Sequence, residues 1–120
     1  MNIFDLMSAS EKSELYACAK LQYLEAGKTL FEHGDKATHF YLINRGQIKI
    51  IRLMTTGEEK VFKVFQQGGV IAEMAMFMPN EEYPMTAIAE TTCQLAVFHK
   101  DDLLKIVEGS PLLAKKLLGF

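Results

Sequence analysis

The stretch Phe40-Tyr41-Leu42-Ile43-Asn44-Arg45-Gly46-Gln47-Ile48-Lys49-Ile50-Ile51-Arg52 decides the fold. Before the glycine, His39–Arg45 is apolar on both faces until the turn approaches. After it, Ile48 and Ile50 point to one side and Lys49 to the other. Two such runs hinged on a glycine read as strand, turn and strand. Outward from this unit, glycine recurs at Gly27, Gly34, Gly46, Gly57 and the Gly68-Gly69 pair, the last intervals being 12, 11 and 11 residues. That is the spacing of hairpin-connected strands in a sandwich or barrel. Glu59–Phe65 continues the pattern, and two more strands are expected near Met85–Glu90 and Gln94–His99.

The ends read differently. About the first seventeen residues are expected to be helical, with Ser8 and Glu11 fitting a capping box and Leu15, Ala17, Cys18 and Ala19 forming a small apolar face. Near the other end, Asp101 is expected to cap a helix carrying Leu103, Leu104, Ile106 and Val107, closed by Gly109. Ser110-Pro111 then opens a last helix with Leu113, Leu117 and Phe120 on one face, opposite Lys115 and Lys116. The expected fold class is mainly β: a jelly-roll-like β-roll, or double-stranded β-helix, of about eight strands with helices at both ends.

Composition excludes several classes. The 120 residues are 49% hydrophobic and 23% charged, which suits one domain and argues against disorder. Surface scaling gives about 6,500 Å² exposed when folded against about 19,600 Å² unfolded, enough burial to fold without staples. A net charge of −2 provides no global field for nucleic acid. The longest runs free of Asp, Glu, Lys and Arg are nine residues, 64–72 and 91–99, about half of what a membrane helix needs. The first residues lack a basic region followed by a long apolar one, so a secretory signal is not expected. Two cysteines, Cys18 and Cys93, are too few for a disulfide framework or a four-cysteine metal site. By base rate both are small buried residues. The expectation is a reduced, cytoplasmic protein.

Four stretches carry a resemblance to a known family. They are Gly27-Lys28-Thr29-Leu30-Phe31-Glu32-His33-Gly34-Asp35, then Phe40 through Ile50, then Gly57-Glu58-Glu59-Lys60-Val61, and finally Ile71-Ala72-Glu73-Met74-Ala75-Met76-Phe77 with Thr86-Ala87. Together they resemble the effector domain of Crp/Fnr transcription regulators, a cyclic-nucleotide-binding-like β-roll, over nearly the whole chain. The resemblance divides the chain into a sensor roll, 1–109, and the start of a dimerisation helix, 110–120. It implies that Leu113, Leu117 and Phe120 are dimer contacts in a homodimeric regulator. The helix-turn-helix domain that follows in the family would need roughly 70 more residues, so this chain alone is not expected to bind DNA specifically.

In cyclic-nucleotide binders of this family, backbone amides and an arginine neutralise the cyclic phosphate while a glutamate holds the ribose hydroxyl. Residues 72–76 with 85 and 86 occupy the place of that cassette. Ala72 and Ala75 replace its two glycines, Glu73 is retained, Met74 and Met76 lie between, Thr86 is a hydroxyl donor, and Met85 stands where the arginine belongs. From 64 to 99 the chain carries no lysine or arginine, and Arg45 and Arg52 lie outside the cassette, so no nearby cation is expected to replace it. Losing a charge-assisted hydrogen bond weakens phosphate binding about tenfold to a hundredfold. Cyclic AMP is therefore disfavoured, against the alternative of a nucleotide module with a divergent cassette. Glu73 reads equally as a ligand contact or as a cap for local amides, and Tyr83-Pro84 reads as a loop exit.

The methionines Met74, Met76, Met78 and Met85 read either as core filling or as the lining of an enlarged apolar pocket. Glu-Met-Ala-Met-Phe-Met is similar to the nitrogen-oxide-responsive branch of the family, and that likeness implies haem and nitric oxide. Axial-ligand candidates are His33, His39 and His99, with methionines second. Their plain readings are a loop residue, a strand opener and a helix-start hydrogen-bond partner. No metal site is firm, and no His-x-His, nucleophile elbow or phosphate loop points to an enzyme. The functional expectation is a sensor whose small-molecule ligand shifts the last helix. The alternative is a ligand-free dimerisation scaffold.

Overall fold

A computed structural model describes residues 2–119, except for the side chain of Leu118. Eight strands are present among the described residues: β1 (Lys20–Leu24), β2 (Thr29–Phe31), β3 (His39–Arg45), β4 (Ile48–Leu53), β5 (Glu59–Phe65), β6 (Val70–Ile71), β7 (Thr86–Ala89) and β8 (Cys93–His99). They form two antiparallel sheets, ordered β1-β8-β3-β6 and β2-β7-β4-β5. The expected jelly-roll-like β-roll is present, as two facing sheets rather than a closed barrel. Consecutive strands largely change sheet, so β1 pairs with β8 and β2 with β7. The segment that resembles the family's first hairpin is thus a crossing between sheets.

The strand–turn–strand around Gly46 bends from one sheet into the other. Gly46 has φ +101, and a Cβ there would lie 2.5 Å from the Thr92 carbonyl oxygen and 2.8 Å from Cys93 Sγ. Only glycine fits both the backbone angle and the space. Across β3 and β8, Phe40 pairs with Phe98 and Tyr41 with Val97. Phe40 and Phe98 stack on one face with Phe4 and Tyr16 nearby, while Tyr41 turns to the other face and stacks on Phe31 of the second sheet. The centre of the first sheet is therefore covered on both faces, which is why β3 is apolar on both sides.

The expected N-terminal helix divides in two. A 3-10 turn spans Ile3–Leu6 and α1 spans Ala9–Ala17, because Asn2 and Ser8 each build a separate capping box, the second with Glu11 as expected. Of the expected apolar face only Leu15 is buried; Ala17 and Cys18 are exposed, and Ala19 lies beyond the helix. Cys18 thus departs from the base rate, whereas Cys93 is buried.

At the other end, α2 (Lys100–Glu108) is capped by His99 instead of Asp101: the imidazole Nδ1 accepts the Asp101 N–H at 3.0 Å. Ser110 caps α3 (Pro111–Leu118), its Oγ accepting the Leu113 N–H at 3.2 Å. Helix α3 lies against α2 and the N-terminal 3-10 turn. Leu113 is therefore buried in this chain's own core and Leu117 packs against it. Two of the expected dimer contacts thus already pack within this chain, Leu117 only in part, and among the described side chains of α3 the exposed large apolar one is Leu112. Phe120, the third of those expected contacts, lies outside the described residues.

Candidate functional site

Between β5, β6 and the segment that follows lies a cavity of about 590 Å³. Strand β6 is held to β3, with Ile71 opposite Tyr41 and Val70 opposite Leu42. The chain then reverses at Ala72, whose φ of +72 is left-handed, and closes a single 3-10 turn over Ala75–Phe77. Left-handed backbone costs an L-residue roughly 1–2 kcal/mol. The likeness to the family pattern puts glycine at this position, so the geometry of the glycine persists where the residue does not.

Of the expected cassette residues, Ala72, Glu73, Met74, Ala75 and Met85 line the cavity. Two do not. Met76 is buried in the core, on the other side of the 3-10 turn. Thr86 spends its oxygen locally: Oγ1 accepts the His33 N–H at 3.0 Å. It lies in a smaller hollow of about 280 Å³ with His33 and Arg52, and Met85 forms part of both walls.

The rest of the lining comes from residues that the sequence did not single out. Phe31, Ile50, Phe65 and Val70 supply apolar wall, and Tyr83 stacks on Phe31 at 3.9 Å between ring centres. Pro84 leaves the loop just before β7, as expected, while Tyr83 is buried with its hydroxyl bonded to the backbone of His39 and is in addition a structural wall. Lys63 of β5 also lines the cavity. This corrects the expectation of a cassette without a nearby cation: the cation comes across the fold from another strand.

Two electrostatic features follow. Burial pushes the Glu73 carboxyl above the usual carboxylate range, with its own backbone N–H and the Lys63 charge pulling it back. Burial pushes the Tyr41 and Tyr83 phenols upward, so both are neutral hydrogen-bonding groups.

None of the three histidines lines the cavity. His33 sits in an exposed turn. His39 and His99 face each other across β3 and β8, rings edge-on at 4.8 Å. His39 Nδ1 lies 2.8 Å from the Thr38 hydroxyl, and burial together with the His99 and Lys20 charges lowers its pKa. The cavity therefore offers haem no imidazole; its sulfur donors are Met74, Met78 and Met85. Among the described residues no three His, Cys, Asp or Glu side chains cluster as metal ligands, and no helix is long and apolar enough to cross a membrane.

Known proteins resemble this chain in sequence and fold. Residues 21–110 match the cyclic nucleotide-binding domain family. The cAMP-activated global transcriptional regulator CRP of Salmonella typhimurium is 25% identical over 89 residues, covering 74% of this chain and 42% of that protein. The anaerobic regulatory protein of Bacillus subtilis is 26% identical over 101 residues, covering 84% of this chain and 42% of that protein. The chain thus spans about two-fifths of the length of these curated relatives. Among solved structures, the sensor domain of the transcriptional regulator DNR from Pseudomonas aeruginosa superposes with a TM-score of 0.87 at 33% identity, covering 98% of this chain and 78% of that one. With a family match across three-quarters of its length and relatives that are regulators, the chain belongs to the cyclic nucleotide-binding domain family, as a sensor domain of the Crp/Fnr type.

Proposed function

We propose that the chain senses a small molecule in the cavity between β5, β6 and the cassette, and passes its occupancy to the C-terminal helix of a dimeric transcription regulator. The observation that carries this reading is the cavity itself. The cassette supplies its wall, Glu73 faces it, and methionines line it without filling it. A ligand-free scaffold would need those methionines to close the space.

Met85 in place of the arginine argues against tight cyclic AMP binding through the cassette. The absence of imidazole from the wall argues against a histidine-held haem, leaving thioether ligation as the route by which haem would bind. Coupling is supported by the N-terminal 3-10 turn, whose capping residue Asn2 lines the cavity and whose body packs on α3. A ligand that shifts Asn2 acts, through this contact, on α3. Dimerisation and DNA binding belong to that larger protein in this proposal.

Thermal denaturation with cyclic AMP, cyclic GMP and haemin in parallel tests the reading. A ligand at 100 times its Kd stabilises the fold by about 2.7 kcal/mol, several degrees in Tm for a domain of this size. A shift with one of the three identifies the ligand class, and a haemin shift with a Soret band that moves on nitric oxide supports the gas-sensing branch. Silence from all three supports the scaffold.

A further inference from the structure

Residues directly opposite in an antiparallel ladder point to the same face. Lys63 is opposite Ile50 and Phe65 opposite Ile48. Both isoleucines are buried and Ile50 lines the cavity, so Lys63 and Phe65 leave β5 on the cavity side. The Lys63 ammonium stands 4.5 Å from the centre of the Phe65 ring, a contact that holds it at the rim. Glu73 faces the same space. Yet the ion pairs among the described residues all lie elsewhere, at Lys49, His99 and Lys100. Two opposite charges that look into one apolar cavity without neutralising each other each retain capacity for a ligand group.

We infer that Lys63 is the residue that selects the ligand's charge. The ligand is an amphipathic anion whose acidic group pairs with Lys63 Nζ, whose apolar body lies against Phe31, Met74 and Met85, and whose hydroxyl or amine donates to Glu73. The inference rests on the cavity being the ligand site. It moves the counter-charge from the cassette to β5, opposite the wall where Met85 stands. A neutral ligand would make no use of Lys63, and a cationic one would be repelled by it.

The test uses two fluorescent probes with nearly the same aromatic body: anilinonaphthalene sulfonate, an anion, and phenylnaphthylamine, which lacks the sulfonate. Each is titrated into the wild type, Lys63→Met, Lys63→Arg and Glu73→Gln, with circular dichroism confirming the fold. Lys63 is exposed on an edge strand, so its substitutions leave the core intact. The expected result is an anion affinity about tenfold weaker in Lys63→Met, retained in Lys63→Arg and increased in Glu73→Gln, with the neutral probe unmoved by either Lys63 substitution. The opposite responses at Lys63 and Glu73 locate the anion between them. An anion affinity unchanged in Lys63→Met, or a parallel loss of both probes, overturns the role of Lys63 while leaving the cavity a ligand site. If neither probe binds the wild type, both readings fall.

Discussion

The phenol of Tyr83 takes the place of a neighbouring strand for His39: its hydroxyl donates to the His39 carbonyl at 2.7 Å and accepts the His39 N–H at 3.3 Å. The same ring stacks on Phe31 in the cavity wall. One side chain thus closes the start of β3 and shapes the ligand site. Tyr83→Phe keeps the wall but leaves two part-buried backbone groups without that partner, at a cost of about 1–3 kcal/mol. Urea unfolding measures it. A loss below about 0.5 kcal/mol would mean that water replaces the hydroxyl.

Ala72 holds a left-handed backbone without being glycine. Ala72→Gly removes that strain but adds freedom to the unfolded chain, the two effects being about 1–2 and 0.5–1 kcal/mol. The expected net is stabilisation of up to about 1 kcal/mol in denaturant melts. A β-branched residue there reverses the sign, and destabilisation by Gly would show that the Ala72 methyl has a packing role outweighing its strain.

Gly46→Ala should be among the most damaging single-methyl additions in the chain. The new Cβ meets backbone on β8 as well as Cys93 Sγ, and overpacking together with the left-handed angle costs roughly 2–5 kcal/mol. Tm read by circular dichroism should fall by 10 °C or more on the order-of-magnitude scaling for a domain of this size.

Glu73→Gln stabilises the unliganded domain at neutral pH. Folding raises the Glu73 pKa, so the unfolded chain releases this proton first as pH climbs through the carboxylate range, and stability falls with rising pH until the folded group has also ionised. The advantage of Gln is therefore present at pH 7 and shrinks as the pH falls towards the ordinary glutamate value. Paired melts at neutral and acid pH check the sign. An advantage that grew in acid would refute the burial account.

Met85→Arg restores the missing cassette cation. It should strengthen cyclic AMP binding about tenfold to a hundredfold, read by isothermal titration. An unchanged titration counts against aligning Met85 with the family arginine.

The roll was readable because its signals are local. Glycine spacing marks the turns, and the double-sided apolarity of β3 reports a sheet packed on both faces. Partner choice was less readable: nothing near Lys63 states that it faces Glu73, since that meeting depends on a bulge between Ile50 and Ile51 in the β4–β5 ladder and on the reversal at Ala72. The stripe Leu113, Leu117 was legible as apolar but not as to what covers it, because periodicity looks the same whether a helix packs on its own domain or on another. The hydrogen bond between His99 and the start of α2 was legible as its plain reading, although Asp101, a stronger N-cap by propensity, was the expected cap.

Strand β5 is bonded on one side only, to β4, and six of its seven residues are exposed. Little buried surface opposes its local opening, so its amides should exchange with solvent far sooner than those of β3 or β8, which are central in their sheet. A ligand bridging β5 to the cassette would slow that exchange at Lys63 and its neighbours while leaving the central strands unchanged. The least protected strand of the domain is thereby its most sensitive reporter of occupancy.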